Sequence, residues 1–234
     1  MTEVRATAFA GRPGAFLERL ASPRPVLLDG AMGTALIARG LDLSRQRAPE
    51  WSLSRPDEVL AVHRAHVAAG AELVLTNTFL QPTDAECAAS LRLARESGAA
   101  LVGASLHAGV EDLAGRVRAL IAADVIWLET ATSVEQAERA AAVAQRETSL
   151  PVVVTLAAFV TGEARARPGV LQGFNCGPWS QAPRARVLKL DADGRDPDEW
   201  APLLARSGAQ LIGGCCGSTA VHIAALAAAL KEHR

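Results

Sequence analysis

Three cysteines set the chemical question. Cys176 stands 39 residues before the vicinal pair Cys215–Cys216, and that pair is flanked by Gly213, Gly214 and Gly217. Vicinal cysteines do not readily form a relaxed disulfide with each other. They can ligate one metal if the backbone turns sharply, and the neighbouring glycines permit such a turn. Three thiolates leave one position of a tetrahedral zinc ion open, as in catalytic rather than structural sites. A thiol entering that position would lose its proton and become a nucleophile at neutral pH. Zinc has no redox chemistry, so alkyl transfer and hydrolysis are the reactions within reach. The plain alternative is inert cysteine buried at apolar strand ends. Cys87 falls inside a helical stretch and reads as an ordinary buried residue.

Such a site needs a scaffold that brings distant segments together. Eight short β-type runs alternate with Ala-rich helical stretches: 26–30, 72–79, 100–106, 124–130, 151–158, 170–176, 185–190 and 209–213. Helices are expected over 34–40, 56–69, 83–97, 111–122, 134–146 and 219–230, and none is assigned between the seventh and eighth strands. The pattern is α/β, and eight strands point to a (β/α)₈ TIM barrel formed by one domain spanning 1–234. The fifth and sixth connections are too short and too rich in Gly and Pro for full helices. Some outer helices are therefore expected to be shortened or missing, and a second copy of the chain could cover the bared wall as a homo-oligomer. Asp29, Asn77, Phe79, Glu129, Asn175, Cys176 and the cysteine pair all fall at the C-terminal ends of strands. That rim is where barrels of this kind build their sites.

Composition narrows the partners. Lys plus Arg (24) and Asp plus Glu (25) nearly cancel, so no nucleic-acid footprint is expected. Arg184, Arg186 and Lys189 form a small basic cluster, read as a solvated loop and strand edge. His63 and His66, three apart on a helix, read as surface residues, whereas His107 could approach the rim. Tyr is absent and aromatics are 4% of the chain, so Ala, Leu and Val must fill the core. The first twenty residues hold no long apolar stretch. The apolar-rich segment 211–230 is interrupted by glycines and polar residues, which suits strand, turn and helix better than a membrane span. The expectation is a cytoplasmic protein that contacts no membrane.

The runs LLDGAMGTALIARGLDL (27–43), TNTF (76–79), ET (129–130), GFNC (173–176) and GGCCGSTAVHIAAL (213–226) resemble the homocysteine S-methyltransferase family. The resemblance runs in order along nearly the whole chain. It implies a zinc-bearing barrel in which Cys176, Cys215 and Cys216 ligate Zn²⁺. It implies that Asp29 and Glu129 hold the amino group of homocysteine and that backbone around Ala31, Met32 and Gly33 receives its carboxylate. These roles fit elementary chemistry, since two carboxylates pair an ammonium and a turn opening a helix offers N–H groups to an anion. Asn175 is placed with the same substrate residues, although Asn77 and Asn175 could equally cap turns. Asn77, Phe79 and Trp179 mark a candidate donor region, Phe79 and Trp179 as cation–π faces for a sulfonium or quaternary ammonium. Trp127, mid-strand, reads as core. The implied reaction moves a methyl group from S-methylmethionine, S-adenosylmethionine, a betaine-like donor or a separate corrinoid protein to homocysteine, giving methionine. A non-catalytic zinc- or thiol-binding barrel is the alternative. The chain departs from the family in its short third, fifth and sixth connections, and GASLHAGVED (103–112) stands where a Gly-Pro element is usual.

Overall fold

The computed structural model describes residues 13–161, 167–178 and 184–232. Eight parallel strands form one sheet: β1 (Val26–Leu27), β2 (Leu73–Leu75), β3 (Leu101–His107), β4 (Val125–Ala131), β5 (Val152–Ala157), β6 (Val170–Asn175), β7 (Val187–Leu190) and β8 (Leu211–Gly214). Their order is β1-β8-β7-β6-β5-β4-β3-β2. A parallel bridge between Leu28 and Leu73 joins the two ends and closes the barrel. This is the (β/α)₈ TIM barrel that the strand count predicts.

Alternation along the strands sorts side chains into two cores. Val26, Leu28, Leu73, Leu75, Leu101, Val125, Trp127, Val153, Val187 and Leu211 fill the barrel interior. Phe16, from α1 (Pro13–Leu20), plugs one end of that interior and is fully buried. The intervening residues, such as Leu106, Ile126, Leu128, Val154, Leu188 and Ile212, face outward under the helices. A strand covered on both faces has no polar side to show, which is why VIWL and VVV read as continuous apolar runs.

The outer layer comprises α2 (Met32–Ile37), α3 (Trp51–Ser54), α4 (Pro56–Ala68), α5 (Asp84–Glu96), α6 (Leu113–Ala119), α7 (Val134–Glu147), α8 (Pro197–Ala205) and α9 (Ala220–Glu232). Local chemistry fixes several starts. Thr83 and Glu86 form a reciprocal capping box on α5, and Ser133 caps α7 through the Gln136 N–H. Pro56 occupies the first turn of α4. Among the described residues no helix separates β5 from β6 or β6 from β7, the two connections expected to be short. Among them, too, no helix is long and apolar enough to cross a membrane.

Four expectations need correction. First, β2 spans three residues rather than eight. Beyond it the ladder gives way to side-chain bonds: Thr78 Oγ1 donates to Ser105 O (2.6 Å), and Thr76 Oγ1 accepts from Ser105 N (3.0 Å). Second, α8 fills the connection for which no helix is assigned. Pro197 sits in its first turn, Pro202 forgoes only its own amide bond, and Trp200 and Leu204 anchor it in the core. Third, His63 and His66 are buried, not exposed, because α4 is packed against α2, α3, α5 and α9 as well as the barrel. Fourth, Lys189 is buried inside the barrel. It follows Val187 in the inward register, with Leu188 and Leu190 turned out to the helices.

Candidate metal centre

The ends of β6, β7 and β8 bring four candidate ligands together. Sγ of Cys176, Cys215 and Cys216 and a carboxylate oxygen of Asp191 all lie within 4.8 Å of one another. Cys176 and Cys215 approach to 3.1 Å, Sγ to Sγ. The backbone is specialised for this convergence. Cys176 adopts a left-handed conformation (φ 49°), and so does Thr130 (φ 59°) on the neighbouring β4 end. Non-glycine residues rarely hold that conformation unless the surroundings impose it. After β8, the Cys215 N–H donates to Leu190 O (2.7 Å), Ser218 Oγ donates to Cys215 O (2.7 Å), and Ala192 N–H donates to Cys216 O (2.9 Å). A Cβ on Gly213 would stand 2.5 Å from Leu28 Cβ, so glycine is required for this close passage.

Asp191 was not anticipated from the sequence. Its main-chain O accepts from Trp200 Nε1 (2.9 Å), which fixes the β7 end. Its Oδ1 is buried without a hydrogen-bond partner. Burial, then the negative Cys215 sulfur, push its carboxyl up to about 6. The three thiols are also electrostatically frustrated. Hydrogen bonding to Cys215 and Cys216, then burial, raise Cys176 far above the usual thiol range. Hydrogen bonds from Cys176 and Cys215 hold Cys216 well below that range. Three sulfurs and a carboxylate in one half-buried cluster cannot all be anionic without a cation. This donor set, in which Asp191 Oδ1 is buried without a hydrogen-bond partner, fits a divalent metal such as Zn²⁺.

Beside the thiols lies a buried charge cluster. Asp29, at the end of β1, accepts the Leu75 N–H through Oδ2 (2.8 Å), and its Oδ1 lies 3.3 Å from Lys189 Nζ. Glu129 on β4 accepts from Ser105 Oγ. Burial pushes Glu129 up to about 7; Lys189 opposes that rise, and Cys215 and Asp29 add to it. Asn175 joins the two groups. Its Nδ2 donates to Thr130 Oγ1 (2.9 Å) and lies 3.5 Å from Glu129 Oε2 and 3.6 Å from Cys176 Sγ, while its Oδ1 accepts the Thr130 N–H (3.0 Å). Asn175 thereby holds the left-handed turn at Thr130 and links carboxylate to thiol.

The remaining expected residues scatter around this core. Ala31 caps α2, and its N–H is already engaged by Ser218 Oγ (3.2 Å); Met32 and Gly33 form the first helical turn. Gly217 N–H donates to Thr34 Oγ1 (3.2 Å), tying that turn to the cysteine loop. Asn77 Nδ2 donates to Ala48 O (2.6 Å), bracing the segment before α3. Phe79 packs edge-on against His107, with ring centroids 5.3 Å apart. Trp127 is fully buried in the interior core and Cys87 is fully buried in α5. Trp179 lies outside the described residues.

A closed parallel barrel with a cysteine-rich cluster at its C-terminal rim defines the class: a (β/α)₈ protein whose rim cysteines could hold a metal. The homocysteine S-methyltransferase family matches residues 26–105 and 174–230, more than half of the chain, and the chain belongs to that family of methyltransferases. The matched segments include Asp29, Asn175, Cys176, Asp191, Cys215 and Cys216; Glu129 lies between them. Among solved structures, the homocysteine methyltransferase MmuM from Escherichia coli is similar in its apo form (24% identity, TM-score 0.72, covering 93% of this chain and 100% of that one). Its metallated form is similar at 22% identity and TM-score 0.72, covering 93% and 99%. A dihydrodipicolinate synthase from Agrobacterium tumefaciens shares the barrel more distantly (13% identity, TM-score 0.51, 92% and 80%). A comparison with curated proteins finds no match.

Proposed function

We propose that this methyltransferase uses Zn²⁺ held by Cys176, Cys215 and Cys216 to methylate the sulfur of homocysteine, giving methionine. The observation that carries the reading is the four-ligand cluster at the rim, set beside buried Asp29 and Glu129. Zinc bound there would supply a Lewis acid that keeps the acceptor sulfur deprotonated at neutral pH. Asp191 would offer the fourth ligand when no thiol is bound.

The chain's own residues do the rest. Asp29 and Glu129 hold the acceptor's ammonium, and the first turn of α2, at Met32 and Gly33, faces its carboxylate. Asn175 positions Glu129 against Cys176, so that the acceptor's amino end and its sulfur are fixed together. The acceptor thiolate attacks the donor's methyl carbon in line. A sulfur–carbon bond forms, the methyl–heteroatom bond breaks, and the electron pair leaves on the donor. An activated methyl on a sulfonium, a betaine-like ammonium or a separately presented corrinoid could serve. Phe79, Asn77 and Trp179 stand as the donor side of the reading. The cytoplasm, which keeps thiols reduced, suits such a site.

The test is direct. Zinc-loaded protein is incubated with homocysteine and, separately, S-methylmethionine, S-adenosylmethionine, betaine or a methylcorrinoid, and methionine is sought by mass spectrometry. Methionine formed with at least one donor, and lost on chelation, supports the reading. Tight zinc and homocysteine binding without turnover under any donor would identify a non-catalytic member instead.

A further inference from the structure

Asp29, one of the two carboxylates that the proposed function reserves for the substrate's ammonium, already lies beside an internal ammonium. Lys189 is 5% exposed, projects into the barrel from β7, and brings Nζ to 3.3 Å from Asp29 Oδ1 and 3.5 Å from the Gly30 carbonyl. Asp29's other oxygen is spent on the Leu75 N–H, and one Glu129 oxygen is spent on Ser105 Oγ. Glu129 and Cys215 also fall within the electrostatic reach of Lys189. A buried cation beside Asp29 offsets its charge without any ligand, although Asp29 Oδ1 itself makes no hydrogen bond.

We infer that Lys189 is a specificity-determining residue that relaxes the amino-group requirement of the acceptor site. The inference rests on the acceptor orientation proposed above. A site with two unpaired carboxylates would read an ammonium strictly, because a substrate lacking it would leave both charges buried and unpaired. Here Lys189 makes up that loss. Thiols that carry the carboxylate but no α-ammonium therefore enter the same site, and homocysteine must share Asp29 with Lys189. Loss of the lysine side-chain charge restores strict reading.

The test compares homocysteine with 4-sulfanylbutanoate, which is homocysteine without its amino group. Both are offered to zinc-loaded wild-type protein and to Lys189→Met. Binding is followed by calorimetry and, where a donor supports turnover, methylation by kcat/KM. The wild type should prefer homocysteine by less than about hundredfold, and Lys189→Met should widen that preference by about tenfold or more. A wild-type preference beyond about hundredfold, or a folded Lys189→Met with an unchanged ratio, overturns the inference. Should Lys189→Met fail to fold, the wild-type ratio decides alone. If neither thiol is methylated, the proposed activity fails, while the calorimetric ratio still tests Lys189.

Discussion

The β1–β4 side of the barrel and the β5–β8 side solve different problems. On the first side every strand leads into a helix, and the rim carries oxygen groups: Asp29, Thr76, Thr78, Ser105 and Glu129. Most are tied to one another or to backbone, although Asp29 Oδ1 is buried with no hydrogen bond and has only the Lys189 ammonium beside it. On the second side two connections lack a described helix, and the rim carries Cys176, Asp191, Cys215 and Cys216. Cys176 and Thr130 share a left-handed backbone across the boundary between the sides, and what sets the second side apart is that its three sulfurs and the Asp191 carboxylate crowd within 4.8 Å of one another. On the proposed function, the oxygen side is the one preorganised for an amino acid, whereas the sulfur side would rely on a cation for its stability. Asn175 and Lys189 are among the residues that cross between them.

Breaking the sulfur side should have the largest effect. Cys216→Ser should drop zinc from about one per chain to well below that, with activity down by about a thousandfold or more. Chelation of the wild type sharpens the contrast. Hydrogen exchange should accelerate in 170–178 and 184–218 while 26–131 keeps its protection. Equal loss on both sides would erase the distinction.

Changing the oxygen side should act on binding more than on metal. Glu129→Gln should raise the KM for homocysteine by about ten- to a hundredfold and leave zinc stoichiometry unchanged. The same variant carries a smaller pH signature. Burial raises Glu129 from 4.5 to about 7 in the fold, so folding favours its neutral form. Its contribution is complete below pH 4.5 and is lost as pH rises through 7. The metal-free wild type should therefore lose stability relative to Glu129→Gln across that window, by up to about 3 kcal/mol. Denaturant midpoints of both proteins from pH 4.5 to 8 would measure it.

The same contrast governs what could be read from sequence. Cys215–Cys216 among glycines and the acidic Glu129 after VIWL are local oddities, and local oddities are legible. Asp29, Asn175 and Cys176 follow because each ends a recognisable strand. Lys189 was read along the chain with Arg184 and Arg186, where three cations look like a solvated edge. Its true setting depends on the two-residue period of VLKL, with Val187 and Lys189 inside and the leucines outside. Asp191 sits two residues further, in a DADGRD run that resembles an ordinary turn, and nothing short of the barrel's closure brings it to the cysteines. His63 and His66 were misplaced for a related reason. Whether a helix has one covered face or two is a property of its neighbours, not of its own period. The outer wall is clearer, since the short, Gly- and Pro-rich fifth and sixth connections have no helix among their described residues.

X-ray absorption at the zinc edge, on loaded protein with and without homocysteine, tests the central claim most directly. Loaded protein should show three sulfurs and one oxygen, and four sulfurs once homocysteine is added, with Asp191→Ala altering only the spectrum taken without homocysteine. A resting site with fewer than three sulfurs, or a spectrum that homocysteine leaves unchanged, would contradict it.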